Sequence, residues 1–236
     1  MSHHKIEAKG LCYAYSDGTE AIREVGFLIG HGESVGLLGA NGAGKSTLLL
    51  LLLGVLFPQE GGIYVADVKL TPKTAADIRP HLGMVFQNAD EQLFMNTVYD
   101  DVAFGPRNMK LSPDEVERRV TEALDLLGIA RLRDRPPYRL SGGEKRAAAI
   151  AGVLAMQPDV LVMDEPTSGL DPRARRKTME QLKQFAHTKL IASHDIAMVR
   201  AVCSRALILC EGRLAADGPT AELLDDEELM GRCGLL

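Results

Sequence analysis

The chain has no basic excess: 27 Lys and Arg stand against 32 Asp and Glu, a formal net charge of −5 over 236 residues. A nucleic-acid binder that works through a broad basic face needs the opposite balance, so no nucleic-acid partner is expected. The arginine clusters at Arg131, Arg133, Arg135 and at Arg173, Arg175, Arg176 read as solvated faces. Cysteine is scarce as well. Cys12, Cys203, Cys210 and Cys233 are scattered, with no C-x-x-C pair and no metal-ligand spacing. That excludes a disulfide framework and fits free thiols in a reducing compartment. Long apolar runs are missing: Leu48–Phe57 falls well short of the ~20 residues that span a bilayer, and it follows Lys45 closely, so it reads as a buried helix. Met1–Gly10 has no apolar core, so no secretory leader is expected. There is neither an internal repeat nor a low-complexity linker.

What remains, 46% hydrophobic and 25% charged residues, is the profile of a soluble globular protein with one sizeable domain or two small ones sharing a core. The first third is β-rich, with candidate strands at Lys5–Tyr15, Gly26–Ile29, Ser34–Leu38, Ile63–Val65 and Met84–Phe86. Ser34–Leu38 is short, apolar and followed by a glycine-rich turn, which suits a buried parallel strand. The middle is helical. Ser112, Pro113, Asp114 and Glu115 make a helix start, Val116, Val120, Ala123, Leu124 and Leu127 follow at helical spacing, and Gly128 ends the run. Strand and helix then alternate: Val160–Met163, a helix after Asp171–Pro172, Leu190–Ser193, a helix near Ile196–Cys203, and Ala206–Leu209. The pattern predicts an α/β core around a parallel sheet, with a helical piece inserted over about 88–157.

Gly39, Ala40, Asn41, Gly42, Ala43, Gly44, Lys45 and Ser46 match G-x-x-x-x-G-K-[ST] between a predicted strand and a predicted helix. Such a loop wraps phosphate in backbone N–H groups, Lys45 reaches the β/γ oxygens, and the Ser46 hydroxyl coordinates Mg²⁺. With Thr47 these residues form the candidate nucleotide cradle. Val160–Met163 runs into Asp164 and Glu165: the first carboxylate is placed to hold Mg²⁺, the second to deprotonate the attacking water. Gln87, after Met84–Phe86, can bring a neutral amide to Mg²⁺ and that water. His194, after Leu190–Ser193, can hydrogen-bond the γ-phosphate and steady the base. Tyr15 is the candidate for stacking on adenine, with Tyr13 as the second choice.

A further stretch, Leu140-Ser141-Gly142-Gly143-Glu144-Lys145-Arg146, has the S-x-x-E spacing of a capping box. A cap does not need two glycines, each of which costs roughly 1 kcal/mol in a helix. Bare backbone at a helix start serves an anion that must come very close.

Taken in order, Tyr15, the 39–46 loop, Gln87, LSGG, Asp164-Glu165, Ser168-Gly169-Leu170-Asp171 and His194 resemble the ATP-binding-cassette ATPases, from Ile6 to about Pro219. The resemblance implies a P-loop NTPase (RecA-like) parallel-sheet core with an N-terminal antiparallel β subdomain and an inserted helical subdomain. It makes residues 1–220 the cassette domain and 221–236 a short tail. It also implies ATP and Mg²⁺ as cofactors and a head-to-tail pair of ATPase subunits, most simply identical copies. In that pairing Ser141, Gly142 and Gly143 of one subunit contact the γ-phosphate held by the partner's P-loop. Gln87-Asn88-Ala89-Asp90-Glu91-Gln92-Leu93-Phe94 and Val102-Ala103-Phe104-Gly105-Pro106 look like the ATPase component of energy-coupling-factor transporters, bacterial importers of vitamins or transition-metal ions. There the segment 87–94 docks a transmembrane coupling subunit, a second membrane subunit binds the substrate, and the ATPase sits peripherally on the cytoplasmic face of the cell membrane. Ile191-Ala192-Ser193-His194-Asp195 and Ala216-Asp217-Gly218-Pro219 look most like the cobalt/nickel branch.

The chain departs from the family pattern at Ala89, where proline is frequent, at Ala147-Ala148, where Arg-Val is common, and in a short tail past Asp225. Two other functions compete: an ATP-driven exporter subunit for lipoproteins or peptides, which the 87–94 segment disfavours, and a soluble cassette ATPase acting on DNA or ribosomes. The latter class usually carries a long coiled-coil insertion or tandem cassettes, and neither is present.

Overall fold

A computed structural model describes residues 4–185 and 187–236. The leader-free reading of Met1–Gly10 therefore lies partly outside the described residues. The chain opens with β1 (His4–Ala14), β2 (Glu20–Gly30), β3 (Ser34–Leu38), α1 (Lys45–Leu52), β4 (Glu60–Val65), β5 (Val68–Lys69) and α2 (Ala75–Ile78). It continues through β6 (Leu82–Val85) into three helices, α3 (Val98–Asn108), α4 (Pro113–Leu126) and α5 (Gly142–Leu154). It closes with β7 (Val160–Asp164), α6 (Pro172–Gln184), β8 (Thr188–Ala192), α7 (Ile196–Val202), β9 (Arg205–Cys210), β10 (Arg213–Pro219), α8 (Thr220–Asp225) and α9 (Glu227–Arg232).

The strands form two sheets. One is antiparallel, in the order β2-β1-β4-β5. The other runs β10-β9-β3-β8-β7-β6, parallel except for the edge strand β10. This is the predicted fold class, with the three helices of the insertion falling between β6 and β7. The central strands are apolar on both faces because both faces are covered. On β7, Val160 and Val162 join the core made with α1 and the antiparallel sheet, while Leu161 and Met163 join the core made with the later helices.

Helix ends follow local chemistry. Ser112 caps α4 by accepting from Glu115 N at 3.3 Å, and Asp171 caps α6 by accepting from Arg173 N and Ala174 N at 2.8 and 2.9 Å. At the other end of α6, the buried Lys189 closes the helix by donating to Leu182 O and Phe185 O at 2.6 and 2.7 Å.

Three expectations need correction. The apolar run Leu48–Phe57 is not one helix: α1 stops at Leu52, and Gly54 turns left-handed at φ 64°. Val55 N then reaches back to Leu50 O at 3.0 Å, a helix-closing pattern that only a residue free to take positive φ permits cheaply. The second strand is longer than Gly26–Ile29, because pairing with β1 extends order to Glu20. Finally, β10 escaped sequence reading because Gly218 and Pro219 mark it as a turn; as an edge strand it tolerates both. The tail is ordered into α8 and α9, with Leu224, Leu229, Met230 and Cys233 buried.

Candidate functional site

β3, β8, β7 and β6 are consecutive parallel neighbours, so their C-terminal ends open along one edge of the sheet. That edge is where parallel sheets bind ligands. The loop 39–47 leaves β3, Ser193 and His194 leave β8, Asp164 and Glu165 end β7, and Gln87 follows β6. Residues far apart in sequence are thereby gathered.

The loop after β3 is shaped as a cradle. Gly39 backs onto the neighbouring strand so closely that a Cβ there would meet Leu209 O at 2.6 Å. Gly42, at φ +81°, faces open space, and Gly44, at φ +103°, leads into α1 without any side-chain cap. Asn41 and Gly42 are exposed, while Ala43 and Thr47 anchor the loop inside. The first N–H groups of α1 are thus left for a ligand, as a phosphate requires. Lys45 is buried, its ammonium donating to Gly39 O at 2.6 Å and Ala40 O at 3.1 Å. Burial lowers its pKa, against the opposing pull of Glu165 and Asp164.

Ser46 Oγ donates to Asp164 Oδ2 at 3.3 Å. Burial raises the Asp164 pKa, and the neighbouring charge of Glu165 adds to the rise. A hydroxyl beside a half-buried carboxylate that resists ionising is a donor set a divalent cation would stabilise, so the residues fit Mg²⁺. Glu165 is only 6% exposed and sits at φ 45°, an uncommon backbone state for a non-glycine residue. Its Oε2 accepts from Ser193 Oγ at 2.8 Å and its Oε1 from His194 N at 2.9 Å. His194 Nδ1 lies 2.7 Å from the same Oε1, with the rest of the imidazole exposed. Tyr15 stands at the rim, its hydroxyl 2.9 Å from Thr47 Oγ1 and its ring edge-on to Tyr13 at 5.2 Å.

Gln87 has an exposed side chain, and its carbonyl accepts from Arg146 Nη2. Ser141, Gly142 and Gly143 do not join the P-loop cluster. Ser141 caps α5 in a complete capping box with Glu144, and Gly143 packs so tightly on α6 that a Cβ would meet Ala174 Cβ at 2.7 Å. Ser141 and Gly142 are exposed.

Three partners escaped the sequence reading. Ser193 fixes Glu165. Arg146 reaches the Gln87 loop. Arg175 grips Asp195 through Nε and Nη2, both at 2.8 Å, bracing the loop after His194 from α6. Nothing local singled out Ser193, and Arg146, last of the charged run Glu144-Lys145-Arg146, reads locally as one more exposed charge.

Residues 22–168 match the ABC transporter family. A protein of Geobacter sulfurreducens with the provisional name ABC transporter ATP-binding protein is 57% identical, over 100% of this chain and 94% of its own length. An energy-coupling factor transporter ATP-binding protein of Methanocaldococcus jannaschii is 41% identical, over 98% of this chain and 84% of its own. The solved structure of cbiO1 from Clostridium perfringens, part of the ABC transporter complex cbiONQ, superposes with a TM-score of 0.88 at 40% identity, covering 99% of this chain and 96% of that one. The chain belongs to the ABC transporter family, as an ATP-binding-cassette ATPase that resembles the ATPase component of energy-coupling-factor transporters.

Proposed function

We propose that this ATPase powers import of a transition-metal ion, cobalt or nickel, through an energy-coupling-factor transporter, as one half of a head-to-tail pair of identical subunits. The observation that carries the chemistry is the meeting of Lys45, Ser46, Asp164 and a buried, doubly anchored Glu165 at one sheet edge. The metal branch is favoured by Ile191–Asp195 and Ala216–Pro219 and by the likeness to a subunit of cbiONQ.

In this reading the Lys45 ammonium leaves the Gly39 and Ala40 carbonyls and turns to the β/γ oxygens of ATP. Tyr15 packs against the adenine, and the N–H groups of residues 39–47 hold the phosphates. Ser46, Asp164 and Gln87 would hold Mg²⁺, which when bound would neutralise charge developing on the phosphate oxygens. Glu165 takes the proton of the attacking water, oriented by Ser193 and by the His194 N–H, while the His194 ring reaches the γ-phosphate. Ser141, Gly142 and Gly143 bring an open helix N-terminus to the γ-phosphate of the partner subunit, so each site is completed only on pairing.

The surface beside the Gln87 segment takes the transmembrane coupling subunit. Phe86, Phe94, Phe104 and Met109 are exposed around a groove of about 710 Å³ beside the 87–94 segment. Among the described residues no helix is long and apolar enough to cross a membrane. The ATPase lies against the cytoplasmic side of its membrane partners, one of which binds the metal. The helical unit 88–157 carries the α5 N-terminus and one wall of the groove, the other wall being formed by residues before it such as Met84 and Phe86.

The test is uptake of radiolabelled cobalt and nickel by cells expressing the complete transporter with either the parental subunit or Glu165→Gln. The variant keeps shape and contacts but loses the proton acceptor, so ATP binding persists while hydrolysis falls by about 10² or more and uptake stops. Hydrolysis at the parental rate overturns the role of Glu165. Uptake of a vitamin in place of either metal overturns the substrate class.

A further inference from the structure

Arg146 is 3% exposed, yet no ion pair involves it among the described residues. Its Nη1 donates to Phe86 O at 2.6 Å, its Nη2 donates to Gln87 O, and its buried Nε has no acceptor among the described residues. Burial lowers its pKa, opposed by the charge of Asp164. A guanidinium sealed in this way is costly, and the next positions of the same helix, Ala147 to Ala151, are all buried and apolar. Packing alone would place an apolar side chain here.

What the guanidinium does is join two functional segments. It stands on α5, whose first turn carries Ser141 to Gly143, and it holds the backbone on which Gln87 is mounted. Two further links run between the same segments. Gln92 Nε2 donates to Ala149 O at 2.9 Å while its Oε1 accepts from Phe86 N at 3.2 Å, and Lys145 Nζ donates to Asp90 Oδ1 at 2.6 Å. The stretch 86–92 is therefore fastened to α5 at its start, middle and end, while its entry from the parallel sheet is the single chain connection at Val85–Phe86. The first of these fasteners is the buried one.

We propose that Arg146 is a positioning residue that makes the Gln87 loop and the start of α5 one body, so that a partner seated on the groove at Phe86 and Phe94 sets two distances together. One is from Gln87 to the subunit's own metal site. The other is from Ser141 to the partner's γ-phosphate. The inference rests on the function proposed above, which assigns Gln87 and Ser141 to those two places. Arg146 acts through the two carbonyls it holds, as a positioning and not a catalytic residue.

The complete transporter tests it with Arg146→Met, which keeps length and removes both donors, and Arg146→Lys, which keeps one charged donor. Affinity for a fluorescent ATP analogue, kcat, KM for ATP and the thermal midpoint are measured together. Misplacement of a catalytic group by about 1 Å can cost 10²-fold. The expected result is a kcat lowered tenfold to a hundredfold in Arg146→Met, with KM and affinity within twofold, a thermal midpoint no lower than the parent's, and partial recovery of kcat in Arg146→Lys. A folded Arg146→Met with parental kcat overturns the proposal, as does a loss of kcat that merely tracks a lost midpoint. Should Arg146→Met not fold, parental kcat in Arg146→Lys overturns it as well. Glu165→Gln is run alongside. If that variant loses hydrolysis while the Arg146 variants do not, only this inference fails; if it hydrolyses normally, the underlying reading fails.

Discussion

The Nδ1 of His194 lies 2.7 Å from Oε1 of Glu165, and the backbone N–H of His194 donates to that same oxygen at 2.9 Å. One residue thus grips the carboxylate twice, from the end of a neighbouring parallel strand. The backbone grip does not depend on the side chain. Replacing His194 by alanine should therefore leave Glu165 in place, held by Ser193 and the remaining N–H, while removing the imidazole from its proposed place at the γ-phosphate. Phosphate release is expected to fall at least about tenfold, but less than the ~10² of Glu165→Gln. A His194→Ala enzyme as slow as Glu165→Gln would mean that the imidazole is itself essential to the base.

In the proposed site Lys45 supplies the full positive charge among the phosphate oxygens; in the structure its ammonium donates to two loop carbonyls. Lys45→Ala should abolish tight ATP binding without unfolding the loop, since Gly39 and Gly44 hold their conformations through backbone packing. Calorimetric titration with ATP checks this; an unchanged affinity would remove Lys45 from the site.

Ser141 is exposed and stands outside the P-loop cluster of its own chain, so Ser141→Arg should leave ATP binding to the isolated subunit nearly intact while hydrolysis collapses. In the proposed head-to-tail pair, mixing Ser141→Arg subunits with Lys45→Ala subunits puts both lesions in one composite site and leaves the other intact. Partial recovery of hydrolysis on mixing is the expected outcome. Loss of ATP binding by the folded Ser141→Arg monomer would place the serine in its own chain's site instead.

Acid sensitivity is expected from α4. Arg118 and then Arg119 hold Glu115 down to about 2, and Arg133 with Tyr99 holds Glu117 down to about 2, both from 4.5. As pH falls below 4.5 the unfolded chain takes up these protons first, so the stabilisation present above that value is lost between 4.5 and about 2. The double variant Glu115→Gln/Glu117→Gln should show a shallower fall in thermal midpoint from about pH 5 to 3 than the parent. Identical slopes would show that these pairs contribute nothing, as exposed ion pairs sometimes do.

Much of the site was legible in the sequence because its chemistry is written in contiguous runs. A loop that wraps phosphate with backbone needs glycines at set intervals, so residues 39–46 identified themselves, and a helix start relieved of side chains exposed Ser141 to Gly143 in the same way. The apolar strands ending in carboxylate, glutamine and histidine could be read one at a time. What the linear order could not reveal is adjacency. Strands β7 and β8 are neighbours in the sheet although α6 separates them in the chain, and only that pairing brings Ser193 and His194 onto Glu165. The burial of Arg146 likewise depends on α5 packing across the exit of β6, a contact between residues 60 and 59 positions apart. The breaks in the apolar run at Gly54 and the edge strand ending in Pro219 were also decided by tertiary context, through a left-handed turn and a free sheet edge. Local backbone chemistry is set by residue type at short range. Which buried polar groups satisfy one another is set by the packing of the sheet, because each must find a partner wherever the fold brings it.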